Sequence, residues 1–136
     1  MMMLVVVLAL VAVAILVWKL WKPVVQPPKE PVPTNEARLT MFYTEWCGWS
    51  KKALPEWAAL EKHLASTGGY FGTTHVTTRK VDAEKDTKLA ELYGINAYPT
   101  VVLETKEGLY DFKKRVTKDN LLSLLRDTLG QESERL

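Results

Sequence analysis

Residues 42–52 have the sequence FYTEWCGWSKK, in which an apolar stretch typical of a β-strand ends and a helical pattern begins at Cys47. The free N–H groups and the dipole at a helix N-terminus favour an anion, so this position lowers the pKa of a thiol. The resulting thiolate is the nucleophile in disulfide exchange. A lone cysteine is otherwise a buried, inert core residue, but the strand-to-helix junction favours the reactive interpretation.

The pattern on either side of this junction predicts an α/β domain over residues 37–129 with the element order βαβαββα. Asp86 and Thr117 are suitable helix caps, and Gly94 lies where a helix would stop. A hairpin is expected around Gly108, and residues 66–72 are expected to form a loop. The predicted strands are 37–43, 76–81, 100–103 and 110–113, and the predicted helices are 51–64, 86–93 and 117–129.

Four short motifs follow one another in this region, and together they resemble the thioredoxin superfamily and its protein-disulfide-isomerase-like domains. The resemblance implies a minimal thioredoxin-like fold, with a four-stranded mixed sheet in the order 2-1-3-4 and strand 4 antiparallel to strand 3. It implies that Cys47 attacks the client disulfide and that Pro99 forms a cis peptide bond facing it. The motifs are F-Y-x-x-W-C-G-x-x-K at 42–51 followed by Pro55, K-V-D-A at 80–83, L-A-x-x-Y-G-I at 89–95, and Y-P-T-V at 98–101.

Two departures from this family pattern define the kind of site that is expected. Ser50 replaces the family's second cysteine, so the domain is expected to be a monothiol that cannot close an internal disulfide. Met41 replaces the buried acidic residue that is thought to help deprotonate that second cysteine. The substrate groove implied by the resemblance is rimmed by Trp46, Gly48, Trp49, Tyr98, Pro99 and Thr100.

A monothiol site predicts a thiol–disulfide exchange or isomerase activity without intrinsic dithiol cycling. Attack by Cys47 forms a mixed disulfide with a client protein, which a second client thiol or glutathione must release. The first alternative is a non-catalytic module that binds or retains clients in the same groove. The second is a glutaredoxin-like protein that binds glutathione or an iron–sulfur cluster, because residues 47–50 resemble the C-G-F-S motif of monothiol glutaredoxins. No cofactor and no metal site are predicted.

The remaining sequence predicts a membrane anchor and a spacer. Residues 1–21 approach the roughly 20 apolar residues of a spanning helix, and no basic residue precedes them as in a signal peptide. Five prolines among residues 23–33 indicate an extended linker over 22–36, and residues 130–136 form a polar tail. Lys19, Lys22 and Lys29 lie at or after the C-terminal end of the anchor, so charge bias predicts a cytosolic domain, with an oxidising compartment as the alternative. Because residues 37–136 are nearly neutral, nucleic acid is not an expected partner.

Overall fold

A central strand between one parallel and one antiparallel neighbour organises the domain. The computed structural model describes residues 1–20, without the side chains of 18–20, and residues 32–133. Within 32–133, six strands form one mixed sheet in the order β5-β4-β1-β3-β2-β6, with β1 parallel to β3 and antiparallel to β4. The elements are α1 (Met2–Leu20), β1 (Glu36–Tyr43), α2 (Gly48–Thr67), β2 (Tyr70–Phe71), β3 (Thr74–Asp82), α3 (Thr87–Leu92), β4 (Thr100–Thr105), β5 (Gly108–Asp111), α4 (Lys118–Leu129) and β6 (Glu132–Ser133).

The N-terminal helix α1 exposes its described side chains, which run from Met2 to Val17. Across residues 1–20 and 32–133, no helix is both long and apolar enough to cross a membrane. The anchor over residues 1–21 therefore stays a prediction. The linker predicted at 22–36 lies outside the described residues as far as residue 31, and so do residues 134–136 of the predicted tail.

Side chains alternate between the two faces of the sheet along each strand, and helices cover both faces. On one face, Leu39 and Met41 of β1 pack with Trp57 of α2 and Leu125 of α4 in the larger core cluster. On the other face, Phe42 belongs to a smaller cluster with Val81, Ala83, Ala90 and Val102, which α3 covers. The α/β fold and the mixed order of the four predicted strands are confirmed.

The number of strands was predicted wrongly, because β2 and β6 lie in segments assigned to a loop and a polar tail. Gly68 and Gly69 take positive φ values of 84° and 67° and reverse the chain after α2, so that Tyr70 and Phe71 pair with β3. β6 pairs with the outer side of β2. Gly72 fits this corner because a Cβ there would lie 2.8 Å from the carbonyl oxygen of Leu129. The order is therefore βαββαββαβ from β1 onward.

The hairpin turn also differs from its prediction. The turn lies at residues 106–107, and Gly108 already belongs to β5. Thr105 fixes this position, because its hydroxyl oxygen accepts a hydrogen bond of 3.1 Å from the backbone N–H of Glu107. Strand β5 consequently ends at Asp111, two residues before the predicted end.

The caps of the shorter helices agree with the sequence. The carboxylate of Asp86 accepts from the N–H of Leu89, and the hydroxyl of Thr117 accepts from the N–H of Asn120. Gly94 follows α3 with a φ of 65°, as expected for a left-handed stop. Helix α2 begins at Gly48 rather than at residue 51 and continues through Pro55. Its earlier start places the first helical turn next to Cys47.

The strand β6 is held to α2 through Glu132, which gives a test of the C-terminal packing. One carboxylate oxygen is 2.8 Å from His63 Nε2 and accepts from the Thr67 hydroxyl at 2.9 Å, and the other is 3.6 Å from the Arg126 guanidinium. We expect Glu132→Ala to lower the free energy of unfolding by about 1 kcal/mol, as for the loss of a partly buried hydrogen-bonded charge. Urea denaturation measures this change. Glu107→Ala, at an exposed turn position, is the control, and an equal loss in both variants would contradict the role of Glu132.

Candidate functional site

Cys47 is the residue that connects the strand end to helix α2. It forms the N-cap of α2 with extended backbone angles, φ −79° and ψ 123°, and is half-buried. Its thiol donates to the backbone carbonyl of Tyr98, with a sulfur-to-oxygen distance of 3.6 Å. The contact joins positions 51 residues apart in the chain. The sulfur therefore lies against the loop that precedes β4.

The first turn of α2 lowers the pKa of the Cys47 thiol. The backbone N–H of Ser50 is the largest cause, and the backbone N–H of Trp49 and the hydroxyl of Ser50 act in the same direction. Desolvation by the surrounding protein opposes them and raises the pKa, but the net direction is downward. The sulfur accepts no capping hydrogen bond from α2. The amide dipoles of the first turn nevertheless stabilise a negative charge at the helix N-terminus.

Ser50 occupies the position of the missing second cysteine and is fully buried. Its hydroxyl oxygen accepts a hydrogen bond of 3.2 Å from the backbone N–H of Thr44. Met41, at the position of the family's acidic residue, is also fully buried and packs in the larger core cluster. The site thus has one thiol with a buried hydroxyl beside it, and the position of the family's acidic residue belongs to the apolar core.

The loop before β4 carries the cis peptide bond that the resemblance implies, between Tyr98 and Pro99. The Trp46 indole meets the Tyr98 ring edge-on, with centroids 6.4 Å apart and an interplanar angle of 81°. The Thr100 hydroxyl donates to the carbonyl of Ala97 at 2.7 Å and so shapes the loop. Strand β4 pairs with β1, and its first residue, Thr100, lies opposite Phe42 near the end of β1. This register holds the loop before β4 next to Cys47.

A cavity of about 220 Å³ opens beside the loop, between the first turns of α2 and the segment before α4. Trp49 and Pro99 line it together with three cations, Lys52, Lys114 and Arg115. We call these three cations with Trp49 the cationic cleft. The Lys52 ammonium lies 4.9 Å from the centre of the Trp49 ring, and the Arg115 guanidinium lies 5.6 Å from it. Both distances are within the range of cation–π contacts.

The family of the chain follows from a match that covers most of its length. The model of the thioredoxin family, described as "Thioredoxin", matches residues 24–127. The chain belongs to the thioredoxin family. In this thioredoxin domain, the loop with the cis proline contacts the sulfur of Cys47, which occupies the first cysteine position. Ser50 occupies the second.

Curated relatives of this thioredoxin domain are protein disulfide-isomerases. The human protein disulfide-isomerase TMX3 is 29% identical over 92 residues, which cover 68% of this chain and 19% of the relative. A probable protein disulfide-isomerase A4 of Caenorhabditis elegans is 31% identical over 102 residues, covering 66% of this chain and 16% of the relative. The chain spans less than a fifth of the length of either relative.

The solved structure of human ERp44 has the same fold as this thioredoxin domain. Its crystal structure aligns with a TM-score of 0.59 and 20% sequence identity, over 72% of this chain and 29% of that one. At this identity the likeness concerns the fold alone.

The structure brings several of the predicted site residues together and adds others. Tyr98 contacts the Cys47 sulfur through its carbonyl and packs against Trp46 through its ring, whereas an added Cβ on Gly48 would meet no atom within 4 Å. The additions are Lys52, Lys114 and Arg115, which belong to none of the motifs in the sequence. Lys114 and Arg115 lie three and two residues before Thr117, the cap of α4, and the segment between β5 and α4 brings them to the site.

Proposed function

We propose that this thioredoxin domain exchanges disulfides with client proteins as a monothiol, with Cys47 as the nucleophile. The observation that carries the proposal is the contact of 3.6 Å between the Cys47 sulfur and the Tyr98 carbonyl. A client strand that lies along the Tyr98–Pro99 loop would present its disulfide directly to that sulfur. The lowered pKa of Cys47 supplies thiolate, and the relatives named as protein disulfide-isomerases support the same class of reaction.

The exchange balances without a cofactor. The Cys47 thiolate attacks one sulfur of a client disulfide, so that a bond forms between Cys47 and the client while the client's own S–S bond breaks. The second client sulfur leaves as a thiolate. Because Ser50 has no thiol to attack the mixed disulfide, release requires the departed client thiolate, another client thiol or glutathione. The first route returns the original disulfide, and the second yields an isomerised client. In the third, glutathione forms a disulfide with the client and Cys47 leaves as a thiolate.

The proposal includes a tether through residues 1–21. Confinement to a membrane surface raises the effective concentration of the domain near clients in the same membrane, which compensates for a site that depends on external thiols. Similarity to protein disulfide-isomerases favours an oxidising compartment over the cytosolic orientation given by charge bias, since client disulfides persist there. An acceptor site for N-glycosylation added after residue 136 tests the side of the membrane.

Alkylation of Cys47 as a function of pH tests the chemical part of this proposal. We expect the rate to rise with an apparent pKa below the value of about 8.5 for a free thiol, because the amides of α2 stabilise the thiolate. Addition of glutathione disulfide should yield one adduct of glutathione per chain by mass spectrometry. Cys47→Ser gives the blank for both measurements. An apparent pKa at or above 8.5 together with no adduct would contradict thiol exchange.

A module that only binds clients is the second candidate, and one observation favours it. The side chains of Trp46 and Trp49 are 64% and 60% exposed at the groove, where two indoles can hold a client strand without chemistry. The two functions separate in Cys47→Ser. If this variant binds an unfolded client as tightly as the unchanged protein does, the domain is a binding module. If the variant loses both the covalent adduct and the retention of the client, the domain acts by exchange.

A further inference from the structure

The cationic cleft is a charged surface next to the site that disulfide exchange alone does not use. Lys52 lies on α2, one turn after Trp49, whereas Lys114 and Arg115 come from the segment between β5 and α4. All three side chains are exposed. They meet at the cavity of about 220 Å³ that Tyr98 and Pro99 also line. A client strand seated on the cis-proline loop therefore passes beside them.

The charge of the cleft is not balanced by acidic side chains. Among the described residues, no carboxylate lies within 4.0 Å of the charged groups of Lys52, Lys114 or Arg115. Glu56 is the acidic residue in the lining, but its carboxylate accepts a hydrogen bond of 2.8 Å from the backbone N–H of Lys118. Glu56 thus caps the first turn of α4 and forms no ion pair with the three cations, which outnumber it in the lining.

Trp49 adds an apolar surface between these charges. Its ring is 60% exposed and has the Lys52 ammonium at 4.9 Å and the Arg115 guanidinium at 5.6 Å. Cation–π contacts with the ring hold both long side chains at the cleft and leave their N–H groups to donate elsewhere. The complement of this surface is a carboxylate on a short side chain, carried by an extended segment with an apolar contact for the indole.

We propose that the cationic cleft selects client segments with an aspartate or glutamate close to the target cysteine. The proposal rests on the exchange function of Cys47 and names its class of substrate. An acidic side chain entering the cleft aligns the client strand on the Tyr98–Pro99 loop and attracts it during encounter. Segments with a lysine at the same place are repelled. The cleft thus determines which disulfides reach the nucleophile.

Matched peptides test the substrate class. Each peptide contains one cysteine as a mixed disulfide with a thionitrobenzoate leaving group, and aspartate, asparagine or lysine two residues before or after the cysteine. Release of the coloured thiolate gives the rate constant for attack by Cys47. At low salt we expect the aspartate peptide to react about tenfold faster than the asparagine peptide, and the lysine peptide to react more slowly than both. At 0.5 M salt the difference should fall to about twofold.

Charge variants assign the effect to the cleft. Lys52→Gln combined with Arg115→Gln should reduce the rate ratio of the aspartate peptide to the asparagine peptide from about tenfold to about twofold. Lys62→Gln, an exposed site farther along α2, is the control and should keep the full preference. Equal preference in the double variant and the control, or equal rates for all three peptides in the unchanged protein, would overturn the proposal.

Binding without chemistry separates this inference from the function on which it rests. Fluorescence anisotropy of labelled peptides with the free cysteine blocked measures their affinity for Cys47→Ser. Exchange is refuted and the acidic specificity remains if Cys47→Ser binds the aspartate peptide more tightly than the others while the unchanged protein reacts with none of them. Reaction of all peptides at one rate would refute the specificity and leave exchange standing.

Discussion

Ser50→Cys is expected to shorten the lifetime of a glutathione adduct on Cys47 by at least about a hundredfold. The side chain of Ser50 is fully buried beside Cys47, and its hydroxyl helps to lower the pKa of the thiol. A thiol introduced there attacks the Cys47–glutathione bond within the same molecule. A disulfide forms inside the domain and glutathione leaves as a thiolate. The adduct that accumulates on the unchanged protein should therefore become transient.

Rapid acid quenching and mass spectrometry follow this release. The adduct is formed with one equivalent of glutathione disulfide and observed without added thiol. Ser66→Cys, which adds a thiol at the exposed end of α2, is the matched control and should release no faster than the unchanged protein. If Ser50→Cys and Ser66→Cys release glutathione at the same rate, the serine does not stand in the position of a resolving thiol.

Tyr93→Phe is expected to lower the free energy of unfolding by about 2–3 kcal/mol. Glu104, on β4, is a carboxylate with only 3% of its surface exposed. One oxygen accepts a hydrogen bond from the Tyr93 hydroxyl, and the other lies 3.8 Å from the Arg79 guanidinium. Loss of the hydroxyl leaves a buried carboxylate oxygen without its donor. Urea denaturation at neutral pH measures the effect, and Tyr110→Phe at an exposed site should change stability by less than about 0.5 kcal/mol.

The unchanged protein and Tyr93→Phe are also expected to differ in stability at alkaline pH. Burial first, and then the hydrogen bond and charge of Glu104, raise the pKa of Tyr93 in the folded state. The unfolded chain loses this proton first, near pH 10, so the stabilisation is complete below that value and disappears as the pH rises through the folded pKa. The unchanged protein should therefore lose stability above about pH 10 more steeply than Tyr93→Phe. Equal losses of stability above pH 10 in the two proteins would contradict a raised pKa of this partly buried tyrosine.

Local signals account for the part of the fold that the sequence predicted correctly. Asp86 and Thr117 cap their helices through bonds to residues three positions ahead, and Gly94 takes the left-handed conformation that its lack of a Cβ permits. The strands β2 and β6 have two residues each and no periodicity to detect. The pairing of β6 with β2 depends on the return of the chain after α4, about 60 residues later, which no local pattern contains.

The candidate site also contains residues that the sequence could predict and residues that it could not. Cys47 was predictable because a strand-to-helix junction is visible in a short window, and Pro99 followed from the resemblance. Lys114 and Arg115 were not, because a short basic run has the same sequence whether it faces solvent or a functional groove. Only the path of the chain from β5 to α4 places them beside Trp49, 65 or more residues from it in sequence.

The buried hydroxyl of Ser50 also determines how the domain responds to peroxide. A thiolate with a lowered pKa is readily oxidised to a sulfenic acid, which a neighbouring thiol would condense into a reversible disulfide. A hydroxyl cannot do this, so the oxidised sulfur must wait for a thiol from another molecule. If none arrives, further oxidation gives the sulfinic acid and ends the chemistry of Cys47. We therefore expect the supply of small thiols to determine how long Cys47 stays reactive under oxidation.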